Sequence, residues 1–342
     1  MPPLVLSRAV GYDALRHLYR AGDLIQVRRG AYAVPLGAAE PWQQARYLAL
    51  ARCAAVTRAL TCTFALSHQS AALVHGCWTG PLDGLTHLTQ RTQPSSSGPR
   101  GVRRHFADLP DEDVTVVNGL PVTTLERTMQ DCARTMHPRE GLCVADSGMR
   151  VLGRADRVYR EASEARLAVV QAALLERLAA KAGWRGAARA RAVLDFADGF
   201  SESPGESRLR WVAVSRGLPR PVCQRPVTTT LGTFYVDLGW SVARREENGD
   251  ETVTRTIVEE YDGESKYVAT HESPAKNPLY AEKRREDALR RTPTSVRRRT
   301  KHDLVDPEAL FRDMCTPFPA SVRNALRPVP GLMWVGPEPV SE

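Results

Sequence analysis

Apolar residues return at helical spacing soon after the start of the chain: Leu15, Leu18 and Tyr19 follow Gly11, and Gly22 is placed as a stop. Leu24 to Arg28, Arg29-Gly30 and Ala31 to Val34 then read as strand, turn and strand. A long helix is predicted from Pro41 to about Leu60 through Trp42, Ala45, Leu48, Ala49 and Arg52. Cys62 to Leu66 is strand-like, and Ser67 is a candidate N-cap for the apolar stretch behind it. Further strands are expected at Leu85 to Gln90, Val102 to Phe106 and Asp113 to Val117, with turn material at Pro94 to Gly101 and a tight turn at Asn118-Gly119. Thr124 to Arg127 opens a helix carrying Met129 and Cys132. Helical patterns continue to about Phe196, and the turn-rich run Asp198 to Gly205 is the clearest boundary in the chain.

The first helix with its basic hairpin has the form of the back half of a winged helix-turn-helix. In that reading the helix enters the major groove, and Arg28 and Arg29 on the wing meet phosphates. A small hairpin cap on the next domain is the alternative. A complete motif needs one or two more helices, and only six residues precede Ser7. The following stretch reads as a mixed α/β module without assigned chemistry. Its histidines, His68, His75, His87 and His105, match no sequence spacing of metal ligands, so a structural role is expected for them.

Beyond the boundary the residue types become specific. Ser203-Pro204-Gly205-Glu206 opens a helix, with Glu206 readable either as the last member of a capping box or as a site acid. In the strand Gly232 to Trp240, a period of two places Phe234, Val236, Leu238 and Trp240 on one face and Tyr235 and Asp237 on the other. A polar loop, Arg244 to Asp250, leads to a return strand, Thr256 to Gly263, with Val258, Glu260 and Asp262 on one face. A hairpin of these strands can bring Asp237 and Glu260 together. An acid within an apolar strand is costly unless paired or bound to a cation, and two such acids make a hard-oxygen site of the kind Mg²⁺ prefers. Lys266, close behind, could orient an attacking water. Such a set suits metal-assisted phosphodiester hydrolysis.

Charge and cysteine usage narrow the setting. The formal net charge is +8, and the cations are nearly all arginine, with lysine only at 181, 266, 276, 283 and 301. Guanidinium groups suit bidentate phosphate contact, so a polyanionic partner is expected; an arginine-rich coding background is the competing explanation. Arg284 and Arg285 on a helix, and Arg297 and Arg298 in a basic run, are candidate DNA contacts, with a solvated face as the alternative. Seven scattered cysteines without a C-x-x-C pair argue against a disulfide framework and a cysteine zinc site. With no signal-like segment and no apolar run long enough for a membrane span, a cytoplasmic protein is expected.

Two resemblances follow from these residues. Gly205 to Arg210, Tyr235-Val236-Asp237, Glu260 to Tyr267 and Glu282 to Asp287 resemble the very-short-patch-repair-type endonuclease domain of the PD-(D/E)xK restriction-endonuclease-like fold, over about residues 200 to 305. The resemblance implies Asp237 and Glu260 as Mg²⁺ ligands, with Lys266 and Glu206 completing the catalytic set. Lys266 stands where such domains tend to place a histidine, four residues after Asp262. The second resemblance is to the AbiEi-type antitoxins. Arg29 to Tyr32, Leu66 to Ala72 and Gly119 to Thr124 with Arg127-Thr128 carry it, over about residues 5 to 150. It implies DNA binding with autorepression, and a cognate toxin protein as a further partner. The expected chain is therefore an α/β multidomain protein: a partial winged helix at 1–36, an α/β module at 37–150 and a helical connector at 151–199. A restriction-endonuclease-like domain with a mixed central sheet follows at 200–305, then a C-terminal extension at 306–342. The leading expectation is a Mg²⁺-dependent endonuclease of bacterial defence or DNA metabolism; the alternative is a non-catalytic regulator on a degenerate nuclease scaffold.

Overall fold

The computed structural model describes residues 1–94, 100–181, 183–245, 252–263, 284–285, 287–289 and 291–334. They form an α/β chain of two compact units, Met1–Thr135 and Met136–Pro337.

The first unit holds two sheets with a helix between them. Strands β1 (Leu4–Leu6), β2 (Ile25–Arg28) and β3 (Ala31–Ala33) form an antiparallel sheet in the order β1-β3-β2, and helix α1 (Tyr12–Ala21) lies between β1 and β2 in sequence. The residues ahead of Ser7 thus add a strand to the hairpin where a winged motif would call for helices. Helix α2 (Pro41–Ala59) is rich in small residues because it is covered on two sides. Ala51 and Ala55 pack with Val27, Ala31 and Ala33, while Cys53, Ala54 and Val56 pack with Phe64, Leu66, Leu88 and Val122. Alanine and cysteine keep the helix close to both layers, at native packing density.

The second sheet of this unit comprises β4 (Ala65–Leu66), β5 (Thr86–Gln90), β6 (Val102–Phe106), β7 (Val114–Val117) and β8 (Leu120–Thr123), in the order β6-β5-β4-β8-β7. Asn118 and Gly119 join β7 to β8 with φ of 52° and 77°. Both are left-handed, the pair of conformations a two-residue turn needs to match strand twist. Helices α3 (His68–Val74) and α4 (Leu125–Thr135) complete the unit. On α4 the buried Arg127 is held by Asp113 at 2.6 Å and Asp131 at 3.0 Å, which satisfies a charge that would otherwise be expensive to bury.

The second unit starts with helices α5 (Pro138–Gly153), α6 (Arg160–Ala179), α7 (Ala187–Phe196) and α8 (Pro204–Ser215). Strands β9 (Val222–Thr229), β10 (Gly232–Arg245), β11 (Thr252–Tyr261) and β12 (Thr294–Arg299) make a sheet in the order β12-β11-β10-β9. The first two pairings are antiparallel and β11 to β12 is parallel, so this sheet is mixed. The run expected as a connector belongs to the packed body. Arg210 of α8 forks onto Asp146 of α5 at 2.5 and 2.6 Å, and both side chains are buried. The segment after β12 is packed as well. It carries α9 (Pro307–Cys315) and α10 (Ala320–Asn324), and Trp211 of α8 donates its indole N–H to the Leu332 carbonyl at 3.0 Å. Among the described residues no helix is long and apolar enough to cross a membrane.

Candidate functional site

The expected acids of the second unit gather where α8 begins and where β10 and β11 part. Ser203 caps α8 by accepting from the Glu206 N–H at 3.1 Å, with Pro204 at the first helical position. The Glu206 carboxylate does not return to the Ser203 N–H, as a reciprocal capping box would require. It accepts instead from the Glu202 N–H at 2.9 Å and lies buried against the sheet. The Ser203 half of the cap is therefore formed, while the carboxylate is turned away from Ser203.

Gln224 of β9 links Glu206 to Asp237. Its amide nitrogen lies 3.2 Å from Glu206 Oε2 and 3.3 Å from Asp237 Oδ1, while its own oxygen accepts from Arg157 at 3.2 Å. Gln224 adopts φ of 46°, a left-handed conformation uncommon outside glycine and asparagine. In register it stands opposite Asp237, between the pairs Leu238↔Cys223 and Val236↔Arg225. Side-chain alternation breaks here. Phe234 and Val236 pack with Val227, Val258 and Leu289 on one face. Leu238, paired with Glu259, and Trp240, against Phe318, point to the other. The single-faced stripe expected for these four residues is thus corrected by an irregularity at the Gln224–Asp237 pair.

The β10–β11 ladder runs to Leu238↔Glu259. At the next step the Asp237 carboxylate accepts the Tyr261 N–H at 2.8 Å, where a backbone carbonyl would serve in a continued ladder. Asp237 is therefore held by the ends of both neighbouring strands. Burial first, and then the charge of Asp237, push the Glu206 carboxyl up to about 7. Glu206 can accordingly gain or lose a proton near neutral pH.

Glu260 is buried at the end of β11, next in sequence to Tyr261, but its carboxylate goes to Arg285 at 2.5 Å. Arg285 also donates to the Tyr235 carbonyl at 2.9 Å. Asp237 is thus brought together with Glu206 through one amide, and Glu260 adjoins that pair with a guanidinium on it. Among the described residues, no three of these carboxylates converge on one point as metal ligands. Lys266 lies outside the described residues.

The remaining arginines divide between surface and scaffold. Arg297 reaches Asp313 at 3.0 Å and Thr316 at 2.5 Å, so it holds α9 to the sheet. Arg299 does the same from the buried Glu259, at 2.5 Å, to Asp313, at 2.6 Å. Arg298, on the opposite face, is exposed and stands in register with Glu260; Arg284 is exposed too. In the first unit Arg29 is exposed at the hairpin turn. Arg28 is half-buried, with one terminal nitrogen buried and without a hydrogen-bond partner among the described residues.

Sequence reasoning passed over Gln224, and it assigned a structural role to histidines that the structure brings together. Gln224 carries no pattern that distinguishes it from any other strand glutamine. His68, His87 and His105 come from α3, β5 and β6, and their ligand atoms all lie within 4.8 Å of one another. Residues that converge from three separate elements have no short-range spacing to read.

No family model matches the chain. It is 42% identical over 64 residues to the uncharacterized proteins MT2308 and Rv2248 of two Mycobacterium tuberculosis strains, a match covering 18% of this chain. The chain spans 24% of the length of those relatives. The crystal structure of the RV2827C protein from Mycobacterium tuberculosis aligns with a TM-score of 0.31 and 15% identity, over 66% of this chain and 83% of that one.

Proposed function

We propose that this chain is a DNA-directed protein whose second unit hydrolyses phosphodiester bonds with the help of a divalent cation. The observation that carries the reading is the linked pair Glu206 and Asp237, with the Glu206 carboxyl pushed up to about 7 by burial and by its neighbour's charge. Two carboxylates crowded at the end of a sheet are relieved by a cation between or beside them, and an all-oxygen donor set fits Mg²⁺. Asp237 and Glu206 would hold the ion, with Glu260 joining if Arg285 moves off it. A bound Mg²⁺ offsets charge on the scissile phosphate and lowers the pKa of a bound water.

The chain's own residues have separable roles in this reading. Asp237 is anchored by the Tyr261 N–H and the Gln224 amide and so is held in one place. Glu206, near its midpoint at neutral pH, can take or return a proton. Gln224 orients both. Lys266 is proposed near the nucleophile on sequence grounds alone. The α1 helix and the β2–β3 hairpin, with Arg29 at its turn, would contact DNA independently of that chemistry.

The test is nicking of supercoiled DNA by the purified chain with Mg²⁺ or Mn²⁺, beside Asp237→Ala with its fold checked by circular dichroism. Metal-dependent nicking lost in the variant is the expected outcome; equal nicking by the variant removes the assignment.

A second reading has a specific observation in its favour. Arg285 places a guanidinium on Glu260, where a nuclease would want the acid available. A non-catalytic antitoxin or transcriptional regulator, working with a cognate toxin, would retain salt-dependent DNA binding and show no nicking under any metal.

A further inference from the structure

The other cluster of chemistry-bearing side chains lies in the first unit and plays no part in the reading above. His68, at the first position of α3, has φ of 52°. A left-handed histidine is strained, and such strain persists where surrounding contacts require that side-chain direction. Here it lays the His68 ring on that of His105, with centroids 3.7 Å apart and planes 15° from parallel. His87 of β5 brings its Nδ1 to 3.1 Å from His105 Nε2 on the neighbouring strand β6.

The outward nitrogens of two of the rings are already engaged. His87 Nε2 lies 2.8 Å from Asp83 Oδ2, so Nδ1 is the nitrogen turned toward His105. His68 Nδ1 lies 2.9 Å from Ser67 Oγ, which also accepts from the Thr89 hydroxyl at 2.8 Å, so Nε2 is the nitrogen left to His68. A carboxylate behind a histidine is the usual outer support of an imidazole metal ligand, orienting the ring and raising its basicity.

The surrounding charges do not forbid a cation. Arg103, Arg127 and Arg134 act on the cluster from β6 and α4. Arg127 is neutralised by Asp113 and Asp131, Arg134 lies 3.6 Å from Asp131, and Asp83 adds its own negative charge beside His87. Burial, with the neighbouring rings, holds His68 well below the usual histidine range and His105 at about 4. Both rings are therefore neutral at physiological pH, the form that binds metal. The ligand atoms of the three rings all lie within 4.8 Å of one another, and a shared ion would require the His68 ring to tilt out of its stack on His105.

We propose that His68, His87 and His105 form a three-imidazole site for a borderline divalent transition metal of the zinc class, with Asp83 and Ser67 as its outer supports. Imidazole nitrogens favour zinc, cobalt, nickel or copper over the hard cation expected at the acid cluster. Three protein ligands leave a position for water or an exogenous donor.

The experiment is metal binding by the full chain after chelator treatment and dialysis. Cobalt(II) is titrated first for its visible tetrahedral bands, then displaced by zinc, with thermal unfolding followed in parallel. Wild type is expected to develop the bands, lose them to zinc and gain thermal stability with either metal. His87→Ala and His105→Ala should show neither effect while keeping the wild-type circular dichroism. Asp83→Asn keeps all three ligands and should weaken binding by about 10- to 100-fold. Asp237→Ala should bind as wild type does, which separates this site from the acid cluster. Absence of both bands and zinc stabilisation in wild type overturns the proposal, as does undiminished binding by the two histidine variants.

Discussion

Glu206 is where a single residue's electrostatics can be followed to a measurement. Its carboxyl has a reference value of 4.5 and is pushed up to about 7, first by burial and then by Asp237. A raised folded-state value means that the folded chain binds the proton more tightly than the unfolded chain. Stability therefore falls as pH rises from about 4.5 to about 7, and the full cost of the buried charge is present above that window. Glu206→Gln removes the charge while keeping an oxygen to accept from the Glu202 N–H. At pH 8 it should stabilise the metal-free chain by on the order of 2 kcal/mol, with the gain vanishing near pH 4.5. Urea unfolding at the two pH values checks this; equal gains at both would mean that packing, not charge, is responsible. The same variant should lower nicking by about 10²-fold or more if Glu206 holds the cation or moves a proton. Asp237 was legible from sequence because an acid inside an apolar strand demands a reason. Gln224 was not, since its importance lies in a left-handed backbone that glutamine does not advertise.

Elements were legible where local chemistry decides them and less so where packing does. The Asn118-Gly119 turn and the Ser203-Pro204 helix start follow from backbone preference alone, and both occur as expected. The role of β1 was opaque, because Leu4–Leu6 becomes a strand only by pairing with β3 far along the chain. Face alternation in β10 failed for the same reason: the break at Asp237 depends on the partner strand's Gln224. Helix α2 shows what small residues mean when both sides are covered. Ala51 is fully buried against the β2–β3 hairpin, and a larger side chain there must push helix and hairpin apart. Ala51→Leu should cost about 1–3 kcal/mol in urea unfolding. A neutral result would mean that the hairpin yields easily and is not held in register for DNA contact.

At the scale of the whole molecule the separation of roles between units becomes testable. The acid pair belongs wholly to the second unit, while the exposed Arg29 and the histidine cluster belong to the first. A chain of net charge +8 that meets DNA through phosphates releases counterions, so its affinity must fall linearly with salt on logarithmic axes. If Arg29 contributes one such contact, Arg29→Ala should weaken binding evenly across sequences and reduce the salt slope by about 1. Arg297→Ala should leave that slope unchanged, because its guanidinium is spent on Asp313 and Thr316 and its loss acts on the seating of α9. Fluorescence anisotropy of labelled duplexes over a salt series distinguishes these cases. A flat salt response in wild type would assign the arginine surplus to coding background and leave the first unit without a nucleic-acid role. A slope that drops with Arg29 but not with Asp237→Ala would place recognition on the hairpin and leave chemistry to the acid cluster.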